Sequence, residues 1–188
     1  GRFDGSSRFP TDQQWGFFPS GSIGWVASEE NFWEVLNPYW SFLKIRASYG
    51  LVGNDSLPMR FAYLTLVNMN STDNEFKGYF GGDTFKIYNG IQVTRWGNAD
   101  ASWEVSRKLN IGLEIGLFND WTIMADFFHE QRNDIFMLRR SIPASSGFQE
   151  STPYANIGAV LNRGVDMSLE YNKAINSDLV ISVQGTFT

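Results

Sequence analysis

The stretch WEVSRKLNIGLEIGLFND, Trp103–Asp120, decides the fold, because its side chains change character at every second residue. The odd positions from Trp103 to Leu117 are apolar except for Arg107, and the even positions between them hold no large apolar side chain. Successive side chains of a β-strand point to opposite faces, so this alternation predicts one long strand with an apolar face and a polar face. The apolar face must contact either a protein core or lipid.

Composition excludes several classes of protein. The chain has 188 residues, a formal net charge of -5 and no cysteine. The negative charge argues against nucleic acid as a partner, because phosphate backbones are bound by basic faces. Without cysteine there is no thiolate metal site, cysteine nucleophile or disulfide framework. No segment approaches the ~18 consecutive apolar residues of a membrane helix. This criterion does not detect the strands of a membrane barrel, because their apolar residues alternate with polar ones.

The same alternation recurs along the chain and predicts six strands. Their approximate bounds are 15–28, 41–53, 101–117, 121–137, 157–173 and 178–188. Pro19 within the first of them suits a strand end or a bulge, since proline cannot donate a ladder hydrogen bond. Tight turns at FND and AINSD alternate with long connections, above all residues 54–100. The expected fold is therefore all-β, an antiparallel up-and-down meander of the kind found in outer-membrane barrels.

Strand length and the polar faces favour lipid over a core. Strands of soluble domains average ~5–6 residues, whereas a tilted membrane strand takes ~9–11. The polar faces carry many small residues, such as Gly112, Gly116, Ser48 and Ser168, which suits a crowded, wet lumen. A soluble β-sandwich stays open as an alternative, because alternation does not identify the solvent. Six strands cannot close a membrane barrel, whose minimum is about eight, so an arc with two open edges is expected.

Several motifs in this order resemble one family. They are RFDGSSRFP (2–10), WGFFPSGSIGWVASEENF (15–32), LKIRASYGLVGND (43–55), ADASWEVSRKLNIGLEIGLFND (99–120) and PYANIGAVLNRGVDMSLEY (153–171). Together they are similar to the SusC/RagA-like TonB-dependent transporters of Bacteroidetes outer membranes, and the resemblance covers almost the whole chain.

The resemblance implies a 22-stranded barrel in the bacterial outer membrane, filled by an amino-terminal plug domain. It also implies a SusD-like surface lipoprotein as a lid, and energy from the proton gradient delivered to the plug by the TonB complex. Plug, TonB box and closing strand do not appear in this sequence, so a middle-to-late part of the barrel is expected. On this basis residues 54–100 are expected to form a long extracellular loop.

Catalytic chemistry has little support in the sequence. Asp126 and Glu130 share a face, as do Asp166 and Glu170, but four residues along a strand span ~13 Å. Glycoside hydrolysis needs ~5–9.5 Å between the two carboxyl groups. Glu114 facing the region of Asp126 across the FND turn is a closer candidate pair. The favoured interpretation is solvated lumen charges balanced by cations, namely Lys108, Arg132 and Arg163.

No metal or cofactor is expected. His129 is the only histidine, and the sequence around it, HEQRND, does not have the spacing of the HExxH zinc helix. There is no GxSxG elbow and no glycine-rich phosphate loop before a helix. The sequence therefore predicts that this chain is not an enzyme.

Aromatic residues give the one indication of a binding site. The candidate substrate-binding residues, all in the segment 54–100, are Tyr79, Phe80, Tyr88 and Trp96. Rings beside hydrogen-bonding groups suit stacking on a sugar or holding a peptide, and loops on a rigid scaffold often carry binding residues. The alternative, which we favour, is that these rings pack the loop against its neighbours or against the lid protein.

Other aromatic residues fit the headgroup level of a bilayer. Those near strand ends, predicted to form interfacial belts, are Trp15, Trp25, Trp103, Trp121 and Tyr171. The turn DGSSRF (4–9) is interpreted as structural rather than as a substrate contact.

The function expected from sequence and resemblance together is active uptake of large nutrients, either glycan fragments or oligopeptides. Two alternatives remain: a passive porin-like channel, and a soluble carbohydrate-binding β-sandwich module.

Overall fold

The computed structural model describes residues 1–36, 39–81, 86–147, 152–176 and 178–188. The strands within these ranges are β1 (Arg2–Gly5), β2 (Trp15–Phe18), β3 (Ser20–Val26), β4 (Trp40–Asn54), β5 (Leu66–Ser71), β6 (Gly78–Phe80), β7 (Lys86–Tyr88), β8 (Gly90–Arg95), β9 (Glu104–Leu117), β10 (Trp121–Leu138), β11 (Tyr154–Asn176) and β12 (Leu179–Phe187). Short 3₁₀ helices lie at Ala27–Glu29, Asn31–Val35, Asn74–Phe76 and Ala144–Ser146. None of the helices in these ranges has the length and apolar character needed to cross a membrane.

Six long strands form one sheet in the order β12-β11-β10-β9-β4-β3. Every neighbouring pair is antiparallel. Strands next to each other in the sheet are also consecutive along the chain, except β4 and β9, which the segment 55–103 connects. The all-β class and the antiparallel meander predicted from the alternation are thus confirmed.

The strand register aligns side chains of one character across the sheet. One row on what we call the apolar face contains Ala47, Ile111, Phe127 and Val165. One row on what we call the polar face contains Arg46, Gly112, Asp126 and Asp166. In the central part of the sheet the apolar face consists of odd-numbered residues and the polar face of even-numbered residues.

The apolar face is not covered by protein. Ile111, Phe127, Val165, Met167 and Leu169 are all about two-fifths to one-half exposed. Among the described residues, the other sheets are three two-stranded ribbons, and none of them pairs with the six-stranded sheet. A β-sandwich would bury these aliphatic rows between two stacked sheets, so the structure does not favour that alternative.

Pro19 divides the region 15–28, where the sequence predicted a single strand. Before it, β2 pairs with β1, with Gly5 opposite Trp15; after it, β3 pairs with β4, with Ser20 opposite Gly50. Proline has no N–H to donate, so the chain leaves one ladder and joins another at this residue. Of the strand end and the bulge that Pro19 suited in the sequence, the structure has the strand end.

The segment 54–100, predicted as one long loop, contains four short strands in its described part. β5 pairs with β8, and β6 pairs with β7. β4 itself extends through Asn54. Alternation was too short in these ribbons to be recognised in the sequence, since three to six residues seldom distinguish a strand from a turn.

A small hydrophobic core lies beyond one end of the sheet. Phe9, Leu57, Ala62 and Ala101 are buried in it. Trp103 packs against this core, with its ring 5.2 Å from that of Phe9 and 5.3 Å from that of Phe18. The prediction that Trp103 belongs to an interfacial belt is therefore wrong: its partners come from the core cluster and the β2 strand.

The motif RFDGSSRFP attaches to this core, as expected for a structural turn. The Ser6 hydroxyl donates a hydrogen bond to the Asp55 carboxylate at 2.8 Å. The Arg8 guanidinium donates to the carbonyls of Asp55 and Leu57, both at 3.5 Å. Phe9 is fully buried. These contacts fasten the first residues of the chain to the segment that follows β4.

Candidate functional site

The polar face carries a network of charged side chains across β4, β9 and β10. Its ion pairs, all between even-numbered residues, are Lys44–Glu114, Arg46–Asp126, Lys108–Glu130, Arg132–Glu104 and Arg132–Glu130. Alternation places these side chains on one face, and the register brings opposite charges into reach. We name this set the charged ladder.

The shortest pair of the charged ladder crosses a whole strand. Arg46 of β4 and Asp126 of β10 both lie opposite Gly112 of β9. The Arg46 Nη2 atom is 2.6 Å from the Asp126 carboxylate. A side chain at position 112 would lie in the path of this pair, because an added Cβ would be 2.6 Å from Asp126 Oδ1 and would overlap Arg46 Nε. Glycine is thus the residue that permits the contact.

Glu130, on the polar face toward the carboxyl end of β10, contacts three polar side chains. Its carboxylate accepts hydrogen bonds from the Ser106 hydroxyl at 2.6 Å and from Arg132 at 3.2 Å, and Lys108 lies 3.6 Å away. Ser106 is buried, with 6% of its surface exposed, so this hydroxyl fixes the carboxylate from within the sheet. The arrangement suits a structured, charged wall rather than a pair of free carboxylates.

The register does not place Glu114 directly opposite Asp126. Glu114 faces Met124, and Asp126 faces Gly112. Each acid has a cation from β4: Lys44 for Glu114 at 3.4 Å, and Arg46 for Asp126. These contacts agree with the interpretation as balanced charges. No group of three or more His, Asp or Glu side chains in the described ranges could hold a metal ion.

Arg163 does not belong to the charged ladder, contrary to expectation. It lies opposite His129 of β10, in the next row of the sheet after Phe127 and Val165. The alternation therefore puts Arg163 and His129 on the apolar face. The expectation failed because it assigned cations to the polar face by their charge instead of by their position in the strand.

The predicted binding aromatics are divided between two ribbons. Phe80 and Tyr88 come together across the β6–β7 ribbon, with ring centroids 5.8 Å apart in an edge contact. Tyr79 lies opposite Ile87, and as a neighbour of Phe80 it points to the other side of the ribbon. Trp96 directly follows Arg95, the last residue of β8, and lies outside the paired part of the β5–β8 ribbon. All four are exposed by more than one-third.

A cleft of about 660 Å³ opens where the polar face meets the edge strand β3. Its polar lining includes Arg2, Asp4, Ser22, Ser48 and Lys108. Small hydroxyl side chains beside charged ones offer many hydrogen bonds with little steric obstruction. This composition suits hydrated polar ligands.

Sequence reasoning missed Lys44, Arg46, Glu104 and Ser106 as members of the network. The alternation already placed them on the polar face, but their partners depend on strand register. Register is set by pairing across the sheet, and a shift of one residue would exchange the faces.

Comparisons with known proteins agree with this architecture. The model of the family described as "TonB dependent receptor-like, beta-barrel" matches residues 1–188. The TonB-dependent receptor P3 of Formosa agariphila is 32% identical over 187 residues, covering 100% of this chain and 17% of that protein. The TonB-dependent receptor SusC of Bacteroides thetaiotaomicron is 33% identical over 177 residues, covering 94% of this chain and 17% of that protein.

Solved structures show the same likeness. The RagAB peptide importer in its 'closed-closed' state superposes with a TM-score of 0.74 at 28% identity, covering 98% of this chain and 18% of that one. In its 'open-open' state the TM-score is 0.69 at 25% identity, over 97% and 19%. The chain thus spans about one-sixth of the length of the curated relatives it matches.

Proposed function

Because this chain belongs to the family of TonB-dependent receptor-like β-barrels, we propose that it forms part of the wall of an outer-membrane transporter that actively takes up large nutrients. The observation that carries the proposal is the six-stranded meander with one uncovered aliphatic face and one face bearing the charged ladder. Such a sheet suits lipid on one side and a hydrated interior on the other. The proposed role is transport rather than catalysis.

The whole barrel proposed here has 22 strands, lies in the bacterial outer membrane and contains a plug domain on which the TonB complex acts. The support is the family and the relatives named as TonB-dependent receptors. The edge strands β3 and β12 each have a single neighbour among the described strands, so their outer backbone groups are available to the further strands of the proposed barrel. Residues 55–103 then lie on the extracellular side, opposite the tight turn between β9 and β10.

We propose a SusD-like surface lipoprotein as the partner of this side, and an oligosaccharide or oligopeptide as the substrate. The likeness to SusC and to a structure titled as a peptide importer supports these classes. Within the extracellular segment, Tyr79, Phe80, Tyr88 and Trp96 are the proposed substrate contacts. Each of these rings is more than one-third exposed, and exposed rings suit stacking on a ligand, which supports this role.

Uptake by the intact protein tests the function. Cells that carry it as their sole route for an oligomeric nutrient should accumulate labelled glycan fragments or oligopeptides above the external concentration. A proton ionophore should abolish the accumulation, because the energy comes from the proton gradient. If the internal concentration only reaches the external one and the ionophore has no effect on it, the protein would instead be a passive porin-like channel. Recovery of the intact protein in the soluble fraction would support the β-sandwich alternative.

A further inference from the structure

Basic side chains interrupt the apolar face at one level of the sheet. His129 lies opposite Leu109 on one side and Arg163 on the other, and Tyr49 continues this row on β4. In the next row, Arg107 lies opposite Gln131. All six residues are odd-numbered within their strands, so they share the face of Phe127 and Val165. We name five of them the basic rim, namely Tyr49, Arg107, His129, Gln131 and Arg163.

The basic rim lies at the depth of a membrane surface. Trp121 and Tyr171, whose rings are 4.5 Å apart, mark one boundary of the aliphatic rows. From Trp121 to His129 and Gln131 is eight to ten residues, close to the ~9–11 residues of a tilted membrane strand. The Trp121 boundary adjoins the tight β9–β10 turn, and short turns are periplasmic in such barrels. The basic rim therefore adjoins the outer leaflet.

The charge of the basic rim is not neutralised by protein. The odd-numbered residues of β4, β9 and β11, and those of β10 up to Gln131, include no acid. Within the described ranges, neither Arg107 nor Arg163 forms an ion pair. At the opposite boundary, by contrast, Lys173 pairs with Asp120 at 2.9 Å. The arginines of the basic rim are thus available to an anion from outside the sheet, whereas Lys173 at the other boundary already has a carboxylate partner.

We propose that Arg107 and Arg163, flanked by His129 and Tyr49, bind the phosphate of a lipid headgroup in the outer leaflet. The proposal rests on the outer-membrane placement given above. Both arginines are exposed, and the guanidinium fork matches phosphate oxygens in a bidentate manner. The two arginines lie two strands and one row apart. From the usual spacing between strands and the usual rise per residue, their Cα atoms are about 12 Å apart. That span suits a bulky sugar headgroup with the arginines closing on it from two sides.

Binding of lipid A by the intact protein in detergent tests this inference. Native mass spectrometry would compare lipid A that retains its phosphates with the same lipid after dephosphorylation. We expect the phosphorylated form to bind about tenfold or more tightly than the other, since each charged hydrogen bond lost weakens binding substantially. The double variant R107Q/R163Q should show a similar loss. K173Q, which also removes charge from the apolar face but at the other boundary, should bind lipid A as the wild type does.

Three results would overturn the inference: equal binding of the dephosphorylated lipid, equal binding by R107Q/R163Q, or displacement of lipid A by millimolar inorganic phosphate. The last would identify a site for free phosphate rather than for a lipid. Nutrient uptake by R107Q/R163Q separates this inference from the proposed function. If R107Q/R163Q takes up the nutrient normally and still binds lipid A as the wild type does, the lipid site alone is refuted. If the wild-type protein does not reach the outer membrane, the transport proposal is refuted.

Discussion

Gly112 is the residue at which the polar face is most sensitive to an added atom. The Arg46–Asp126 pair passes directly over it, and an added Cβ would meet both side chains. We therefore expect G112A to separate the pair and to lower the stability of the barrel by about 1–3 kcal/mol, the usual cost of overpacking. Thermal unfolding of the intact protein in detergent measures this difference.

G185A provides the matched control for that substitution. Gly185 lies in β12 opposite Leu169, on the apolar face, and an added Cβ there would have no heavy atom within 4 Å. The same methyl group should therefore leave the unfolding temperature close to that of the wild type. If both variants melted alike, the ion pair across Gly112 would have no measurable role in stability.

At the scale of single residues, the sequence predicts faces well and partners poorly. Alternation placed Asp126 and Glu130 on the polar face without any structure, because the period of two is a property of the strand itself. That Arg46 is the partner of Asp126 depends on two successive registers, 46 to 112 and 112 to 126. Neither register can be read from one strand alone.

Among the elements, the segment 55–64 that follows β4 depends on one buried ring. Phe9 is fully buried against Leu57 and Ala101, and truncating such a ring costs about 3–5 kcal/mol. We expect F9A to release residues 55–64 from the small core around Phe9 while the strands of the sheet stay paired. Limited proteolysis of the intact protein should then cut within 55–64 much faster than in the wild type.

Phe17 is the control ring for this experiment. It belongs to the adjoining strand β2, but 62% of its surface is exposed, so F17A removes little packing. Its cleavage pattern should match that of the wild type. Equal rates of cleavage for F9A and wild type would show that the hydrogen bonds of Ser6 and Arg8 suffice to hold the segment.

The β6–β7 ribbon gives a separate prediction for ligand binding. If Phe80 and Tyr88 stack on the nutrient, F80A and Y88A should each weaken binding by about five- to tenfold, because a ring contact is worth ~0.5–1.5 kcal/mol beyond its buried area. Titration of the intact protein with a fluorescently labelled oligomer measures the dissociation constant.

Tyr39 is the control for the ribbon, because it makes the same kind of edge contact with Phe118, at 6.1 Å, beside the opposite end of the sheet. Y39A should bind the nutrient as the wild type does. Unchanged affinity in both F80A and Y88A would assign these rings to packing, the alternative that the sequence favoured.

Irregular elements show where prediction from sequence ends. Pro19 indicated an interruption of the strand, because its missing N–H acts at its own position whatever strand lies opposite. The register shift of β10 between Arg132 and Ile135 has no comparable signal: Asp134 there adopts a positive φ of 59°, which aspartate tolerates in the left-handed region. The β5–β8 ribbon is likewise stabilised by contacts distant in sequence, such as the hydrogen bond from Ser71 to Gln92 at 3.0 Å.

At the scale of the whole molecule, the uncovered aliphatic rows and the two edge strands predict how these 188 residues behave alone. Without lipid and without further strands, apolar rows such as Ile111, Phe127 and Val165 face water, and β3 and β12 expose unpaired backbone groups. Both features promote association between copies. Expressed without detergent, the segment should therefore form aggregates rather than a monomer, whereas the intact protein in detergent should be dispersed. Size-exclusion chromatography with light scattering distinguishes the two states. A soluble monomer that melts cooperatively would mean that another part of the chain covers the apolar face, and the placement of that face against lipid would be wrong.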